Sequence, residues 1–581
     1  MNSFIYLQQE KIKEIIINLG YEVNNVLLYK SSKPELGQFQ YNGVMEIAKK
    51  YKLNPIEIAN KIILELNKSN DYHNVNIAGP GFINITFNDS ILIDYMNIIN
   101  KDININKSKL LNKKLLIDYG GANVAKALHV GHLRSAIIGE ALKRLSIELG
   151  CKSYSDVHLG DWGRPMGLVL LEIKKRYTNL NYFDENYNGK YEDCPISNDD
   201  LEEIYPLASI KSKEDPSYME EARIITSYIQ EKRKGYYDLW KKVVEISSND
   251  IKKIYERLNV YFDFWNGESN SDKYVNDLID YLNINNYSKE SDGAIIIDVS
   301  KEDDNAPMPP LLLVKSNNAV SYETTDLAMI YGYMKELKPD EMWYITDQRQ
   351  SLHFEQVFRA AYKSKIVSED KVLEFIGFGT MNGKDGKPFK TRDGGTMKLL
   401  DLIDMVKEET YKNIGSNIPE EEKNYVAEKV AIASLKYADF LSNRSSDYIF
   451  DPVKFTDLNG KTGAYILYST IRMKSLLNKA KESNIDFNNI SVLSEIDRNI
   501  VLKLLEVPKV LEVAYNSKSL NSIADFLYEI SNLYNNLYSN NRILTEENDV
   551  IKESRLVLTE IVYKTSKKLI DILGIEIPNK I

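Results

Sequence analysis

The chain has 581 residues but only five histidines, and two of them, His129 and His132, stand three apart in NVAKALHVGHLRSA, residues 123–136. Side chains three apart on the first turn of a helix share a face, so both imidazoles can address one ligand. Imidazole donates a hydrogen bond to phosphate whether it is neutral or charged. Lys126 lies ahead of the pair, and Gly131 within it lets a flat ring rest against the backbone where a Cβ would collide. A helix N-terminus adds unpaired N–H groups and the positive end of the helix dipole. Such a set suits a nucleotide attacked at its α-phosphate. A second basic group follows in residues 383–398. Lys384, Lys387, Lys390, Arg392 and Lys398 stand there against Asp385 and Asp393, among four glycines. That composition fits a loop that closes over phosphates.

These residues need elements to hold them. LLIDYGG, ahead of the histidines, reads as a buried strand ended by glycines. GHLRSAIIGEALKRLSIELG then places Leu133, Ile137, Ala141 and Leu145 four apart on one helix face, ending at Gly150. SDVHLGDWG supplies the next strand and its loop, giving a parallel crossover unit. A polar, acidic stretch over 171–290 interrupts the pattern, and strands resume at AIIIDV, LLLV and MWYIT. The reading is an α/β catalytic domain over 106–400, split by an insertion at 171–290. An α+β module precedes it at 1–105, with strands such as FINITF. A linking helical region follows at 401–460 and an all-α bundle at 461–581.

Composition narrows the function. The net charge of −10 argues against a protein that merely coats nucleic acid. The acidity is local: residues 171–300 carry 17 basic and 26 acidic groups, against 9 and 10 in residues 1–100 and 16 and 15 in 461–581. A shaped nucleic-acid site at either end is therefore open to the chain. No apolar run reaches the length of a transmembrane helix, and the N-terminus lacks the pattern of a signal peptide. The expectation is a cytoplasmic protein without a membrane partner. Two cysteines, Cys151 and Cys194, build neither a disulfide framework nor a four-cysteine zinc site.

The histidine pair resembles the HIGH signature of class I aminoacyl-tRNA synthetases, and the flanking sequence narrows the resemblance to the arginyl-tRNA synthetase family. DYGGANVAKALHVGHLRSAIIGEAL with HLGDWGRPMG carries it, as do YETTDLA at 322–328 and DQRQSLHFEQVF at 347–358. GKDGKPFKTRDGGTMKL at 383–399 is similar to that family's mobile loop, although the KMSKS signature survives there only as two lysines, Lys387 and Lys390. GQFQYN and AGPGFINITF resemble its N-terminal module, and KTGAYILYSTIR the start of its C-terminal one. The family often has proline where Ala122 and Ala127 stand, and histidine at Phe375.

The resemblance implies a class I Rossmann-type parallel-sheet domain and a C-terminal anticodon-binding bundle. It implies activation of arginine with ATP to arginyl-adenylate, then transfer to the 3′-terminal ribose of tRNA(Arg). His129, His132, Lys126 and Lys390 become the catalytic residues, with ATP contacts at Gly131, Met381 and Lys387 as well. Mg²⁺ is expected on the pyrophosphate, with no protein side chain as metal ligand and no zinc. Arginine contacts are carried onto Asp118, Asn123, His132, Tyr322, Asp326 and Gln350. A guanidinium needs planar carboxylate partners in a dry pocket, and Asp326 beside Tyr322 offers one; a helix cap and a core aromatic are the structural alternatives for these two. His158 and His353 are expected to lend structural support, Trp162 to pack, and His73 to lie on the surface. The N-terminal module is expected at the tRNA elbow, with Gln38, Phe39 and Gln40 on an unpaired base; the alternative is that Phe39 fills the module's own core. The insertion is expected to face the acceptor stem, and the protein to be a monomer. The rival readings are another class I synthetase, a silent tRNA-binding paralogue and a small-molecule nucleotidylyltransferase.

Overall fold

Strands Lys114–Asp118, Lys152–Asp156, Glu341–Asp347 and Val372–Phe378 form one parallel sheet in the computed structural model, which describes residues 3–581 except 32, 34, 103–109, 190–193, 318, 388, 390–396, 416 and 417. Leu115, Leu116 and Ile117 and the run Met342–Ile345 are all buried, as in a parallel sheet covered on both faces. The order across the sheet is fourth, third, first, second in chain sequence. The direction of winding therefore reverses between the first and third strands. Ligands of such sheets bind in the crevice outside the carboxyl ends at that point, and Asp118 ends the first strand there.

Helix Val130–Glu148 returns from the first strand, and Leu133, Ile137, Ala141 and Leu145 are fully buried. The single apolar face expected of this helix is only part of its surroundings, because Arg134, Glu140 and Lys143 are buried too. The C-terminal helices enclose its other side. Arg134 Nε donates to Asp439 Oδ2 at 2.8 Å, and Arg144 Nη1 to Asp571 Oδ1 at 3.0 Å.

The inserted segment is helical, with Asn198–Glu214, Pro216–Gln230 and Lys234–Arg257. It rejoins the parallel-sheet domain well before residue 290. Phe264 pairs beside Asp156 and Gly267 beside Leu159, and the Asp263 carboxylate accepts from Ser155 N at 2.9 Å. The acidity that sets this segment apart in the sequence includes carboxylates that bind back to the domain. AIIIDV and LLLV do form strands, Ala294–Ile297 and Leu311–Val314, but in a separate antiparallel sheet with Lys289–Ser291. The two-residue Asp292–Gly293 turn, both at positive φ, makes a hairpin of the first pair.

The N-terminal module is a four-stranded antiparallel sheet in the order Leu28–Lys30, Phe39–Tyr41, Phe82–Phe87, Tyr72–Ala78. Helices Phe4–Asn18, Val44–Tyr51, Pro55–Leu66 and Asp89–Lys101 accompany it. From Leu399 onward the chain is helical apart from Tyr448–Ile449, which pairs with Met381–Asn382. No helix among the described residues is long and apolar enough to cross a membrane.

Candidate active site

His129 is the N-cap of helix Val130–Glu148. Its Nδ1 accepts from Gly131 N at 3.1 Å, and His132 Nδ1 accepts from His129 N at 3.0 Å. The Gly131 N–H can only donate, so His129 Nδ1 is unprotonated and its neutral ring carries the proton on Nε2, whereas His132 Nδ1 lies within reach of both the N–H and, at 3.2 Å, the carbonyl oxygen of His129. The rings lie 3.9 Å apart. Burial lowers the pKa of His132 to about 3, with His129 and Lys126 pushing the same way. Burial, then Lys126, lowers that of His129. At neutral pH the pair is therefore two uncharged N–H donors at a helix N-terminus. Gly131 has a more immediate reason than a ligand ring: a Cβ there would stand 2.9 Å from Nδ1 and Cε1 of His129. The glycine lets the cap histidine fold over its own helix.

The 383–398 loop ends against this motif. Val130 N donates to Met397 O at 3.1 Å, and Leu399 N to Leu128 O at 2.8 Å, so Lys398 bridges to His129. Met381 is buried beside Tyr448 at the loop's start. Lys387 is exposed, and its N–H donates to Asp385 Oδ1 at 3.1 Å. Lys390 and Arg392 lie outside the described residues. Two other cations of the loop are held elsewhere, Lys384 by Asp451 at 3.0 Å and Lys398 by Glu202 at 2.5 Å. Lys126 is exposed.

A second group of site residues is acidic and at least half-buried. Asp118 is pushed up to about 7 by burial, with Asp156 and Asp326 adding to it. Glu268 is also pushed up to about 7, by burial and then by Asp326 and Asp161. Asp326 is 7 % exposed, and His353 Nε2 sits 2.5 Å from its Oδ2. His158 Nε2 lies 3.7 Å from the other oxygen. Burial opposes a proton on His158, but Asp118 and Asp326 outweigh it and raise its pKa. Tyr322 covers His353 with ring centroids 5.0 Å apart. Its pKa is raised by Asp326 and then by burial, yet 47 % of the residue is exposed. The two measures describe different parts: the ring body is open while the hydroxyl feels the carboxylates.

Both structural alternatives for this pair fail. Ser321 caps helix Tyr322–Glu336 by accepting from Thr324 N at 3.3 Å, which frees Asp326 from that duty. Tyr322 is too open to be a core aromatic. Asn123 bridges to Gly160, where a Cβ would stand 2.2 Å from Asn123 Oδ1. Gln350 is exposed in the short turn Gln348–Gln350. Sequence reasoning missed Glu268, which sits in the acidic insertion and carries no motif. His158, from the HLGDWG stretch, stands among these carboxylates. Asp161 accepts from Ser269 N at 2.9 Å and Ser269 Oγ at 2.6 Å beside Glu268. Trp162 packs edge-on against Trp240, as expected.

The base-stacking role expected of Phe39 is corrected. Phe39 is buried, with its ring 5.6 Å from that of Phe87. Strand alternation turns it inward with Tyr41. Gln38 Oε1 accepts from Phe87 N at 3.0 Å, and Gln40 Nε2 donates to Asn84 at 2.8 Å, so both amides brace the same sheet.

Known proteins share this arrangement. Residues 95–452 match the profile of the class I (R) tRNA synthetase catalytic domain, 466–581 the DALR anticodon binding domain, and 7–87 the arginyl tRNA synthetase N-terminal domain. The arginine–tRNA ligase of Alkaliphilus oremlandii is 44 % identical over 98 % of both chains. That of Agathobacter rectalis is 40 % identical over 100 % of both. In fold, the crystal structure of arginyl-tRNA synthetase from Plasmodium falciparum superposes with a TM-score of 0.79 at 23 % identity, covering 100 % of both chains. With the two histidines at the helix N-terminus and the acidic pocket beside them, these likenesses place the chain in the arginyl-tRNA synthetase family.

Proposed function

We propose a residue-by-residue account of how this arginine–tRNA ligase, which joins arginine through arginyl-adenylate to the terminal ribose of tRNA(Arg), divides its work. Asp326 takes the guanidinium, and the open ring of Tyr322 becomes one wall over it. Asp118, Asn123, His132 and Gln350 orient the α-amino and carboxylate groups. The carboxylate attacks the α-phosphorus and pyrophosphate leaves. His129 and His132 donate from Nε2 to the phosphate oxygens, where charge grows in the transition state. Neutral donors are weaker than cations there, but they cost less to hold in a partly buried site. Met381 and Gly131 lie along the nucleotide, while Lys126, Lys387 and Lys390 meet the pyrophosphate. Mg²⁺ would neutralise the pyrophosphate and arrive on it. In the second step the terminal 2′-hydroxyl attacks the adenylate carbonyl and AMP leaves.

The tRNA lies across the whole chain in this account. Residues 461–581 read unpaired anticodon bases by stacking and edge contacts. The insertion faces the acceptor stem, and residues 1–105 meet the elbow through surfaces other than Phe39. The enzyme works as a cytoplasmic monomer. The observation that supports the account best is Asp326, a buried carboxylate that caps no helix and has His353 Nε2 2.5 Å from one oxygen. The test is charging of total tRNA with each of the twenty amino acids, together with pyrophosphate exchange in the presence and absence of tRNA. Arginine alone should be charged, and exchange should need tRNA. Equal charging of a second amino acid, or of none, would overturn the account.

A further inference from the structure

His158 is the one imidazole in the acidic pocket whose hydrogen bonding is incomplete. Its Nε2 is buried and makes no hydrogen bond. Its φ of 42° lies in the left-handed region, which a residue with a Cβ seldom adopts. Backbone strain of this kind gathers where a side chain must be aimed. Carboxylates face the ring from every element around it. Asp118 and Asp156 end the first and second strands, Asp161 follows in the loop, Glu268 comes from a short turn, and Asp326 from helix Tyr322–Glu336. Beyond Asp326 stands His353, on helix Ser351–Lys363.

We infer that arginine enters this pocket in exchange for a proton, and that His158 is where the proton is held. The inference rests on the reading of Asp326 as the guanidinium partner. The empty pocket concentrates negative charge, and an imidazolium at His158 is its resident counter-ion. A guanidinium arriving at Asp326 brings its own positive charge within a few ångströms. The neighbouring cation then favours the deprotonated form of His158 and the ionised form of every carboxylate around it. All of these shifts release protons and none takes one up, so the sign does not depend on how the groups share the charge. The exchange balances: a protonated pocket plus arginine gives the arginine complex plus one proton in solvent. The proton leaves Nε2, whose lone pair can then accept from a guanidinium N–H. The residue that competes with the substrate in the empty pocket becomes one of its acceptors in the complex. Asp118 and Glu268, pushed up to about 7, are the carboxylates around His158 that respond with it.

With five histidines in the chain, ring-labelled histidine NMR on the full protein can follow His158 directly, assigned by its loss in His158→Gln. Its titration should move to lower pH when arginine saturates the protein. Calorimetry of arginine binding at pH 7 in phosphate and in Tris, with and without tRNA, should show net proton release. For each proton released, the apparent Kd for arginine should fall by up to about tenfold per pH unit. In His158→Gln the release should shrink and the dependence of arginine KM on pH should flatten. Absence of proton release in the wild-type protein, or a His158 signal indifferent to arginine, would overturn the exchange even if the variant does not fold. Release undiminished in a folded His158→Gln would overturn His158 as the store. Asp326→Asn separates this from the underlying reading. If that variant binds arginine as the wild type does, the guanidinium assignment fails. If it loses arginine while the wild type releases no proton, only the exchange fails.

Discussion

The two ends of the site solve opposite electrostatic problems. At the proposed phosphate end the ligand would bring the charge, and neutral imidazoles, backbone N–H groups and the exposed Lys387 would meet it. At the proposed arginine end the protein would supply the charge with carboxylates, of which Asp118 and Glu268 are pushed up to about 7 by burial. A helix N-terminus presents its partial charge without any side chain leaving water. A guanidinium has no backbone equivalent, since only side-chain carboxylates match it with two parallel acceptors. The phosphate end can therefore be local and partly open, whereas the arginine end must be buried and assembled from afar.

The largest effect should come from breaking the buried side of this contrast. Asp326→Asn keeps the shape and removes the charge. It should cost about 2–5 kcal/mol in kcat/KM for arginine, as expected for a desolvated charge pair that loses one partner. The KM for ATP should hardly move. Steady-state exchange with each substrate varied in turn checks this. Unchanged arginine kinetics in a folded variant would place the guanidinium elsewhere.

His129→Asn tests the open side. Asparagine is among the best N-caps, so the helix keeps its start while the site loses the Nε2 donor. The loss should appear as about 10²- to 10³-fold in kcat for adenylate formation, the scale of one donor aimed at growing negative charge. The melting temperature should stay level. A large fall in melting temperature with kcat retained would make His129 a structural cap alone.

How far each end can be read from sequence follows from the same difference. His129, His132, Gly131 and Lys126 fall within fourteen residues, so their spacing, with the strand before and the helix after, suggests one site. The arginine end draws Asp118, His158, Glu268, Asp326 and His353 from five separate stretches, and only the fold brings them together. Glu268 was invisible because it sits among many acidic residues whose charge looked like solvated surface. Asp326 looked like a cap because two threonines precede it, but Ser321 lies at the right distance from Thr324 and takes that role. Phe39 looked exposed between two glutamines. Its strand alternates inward at Phe39 and Tyr41, and the period of two outweighs the polarity of the neighbours. The parallel sheet and the C-terminal helices were legible from periodicity, whereas the separate hairpin at 289–297 depended on an Asp-Gly turn that was passed over.

A pH profile sharpens the contrast without any mutation. His132 gives up its proton at about 3, and His129 below its ordinary value. With arginine and ATP saturating, kcat for activation should change no more than about twofold between pH 7 and 8, because both imidazoles lose their protons below the ordinary histidine value. The arginine KM should carry the pH dependence instead. Stability should respond on the acid side: a histidine with a depressed folded pKa stabilises the fold above its unfolded value of 6.5. That contribution is lost as pH falls from there towards 3. A kcat that still rises steeply above pH 7 would mean that one imidazole of the pair is charged in the substrate complex.

The smallest effect concerns the glycine that separates the two histidines. Gly131 sits in the first turn of the helix, where alanine is the better helix former by up to about 1 kcal/mol. A Cβ there would press on Nδ1 and Cε1 of His129 at 2.9 Å, and the imidazole would have to swing away. The swing breaks the bond from Gly131 N–H to Nδ1, a loss of about 1 kcal/mol. The two terms nearly cancel in stability, so Gly131→Ala should melt within a few degrees of the wild-type protein. They do not cancel in catalysis. Without that bond nothing fixes which nitrogen of His129 carries the proton, and the fraction of rings presenting Nε2–H falls. The cost in kcat should be about tenfold at most, milder than His129→Asn, because the donor is misaligned rather than removed. Measuring exchange for Gly131→Ala, His129→Asn and the double variant settles the point. If Gly131 acts only through the His129 ring, the double variant should be no slower than His129→Asn alone. A further tenfold loss in the double variant would show that the glycine serves the nucleotide directly, as the sequence first suggested.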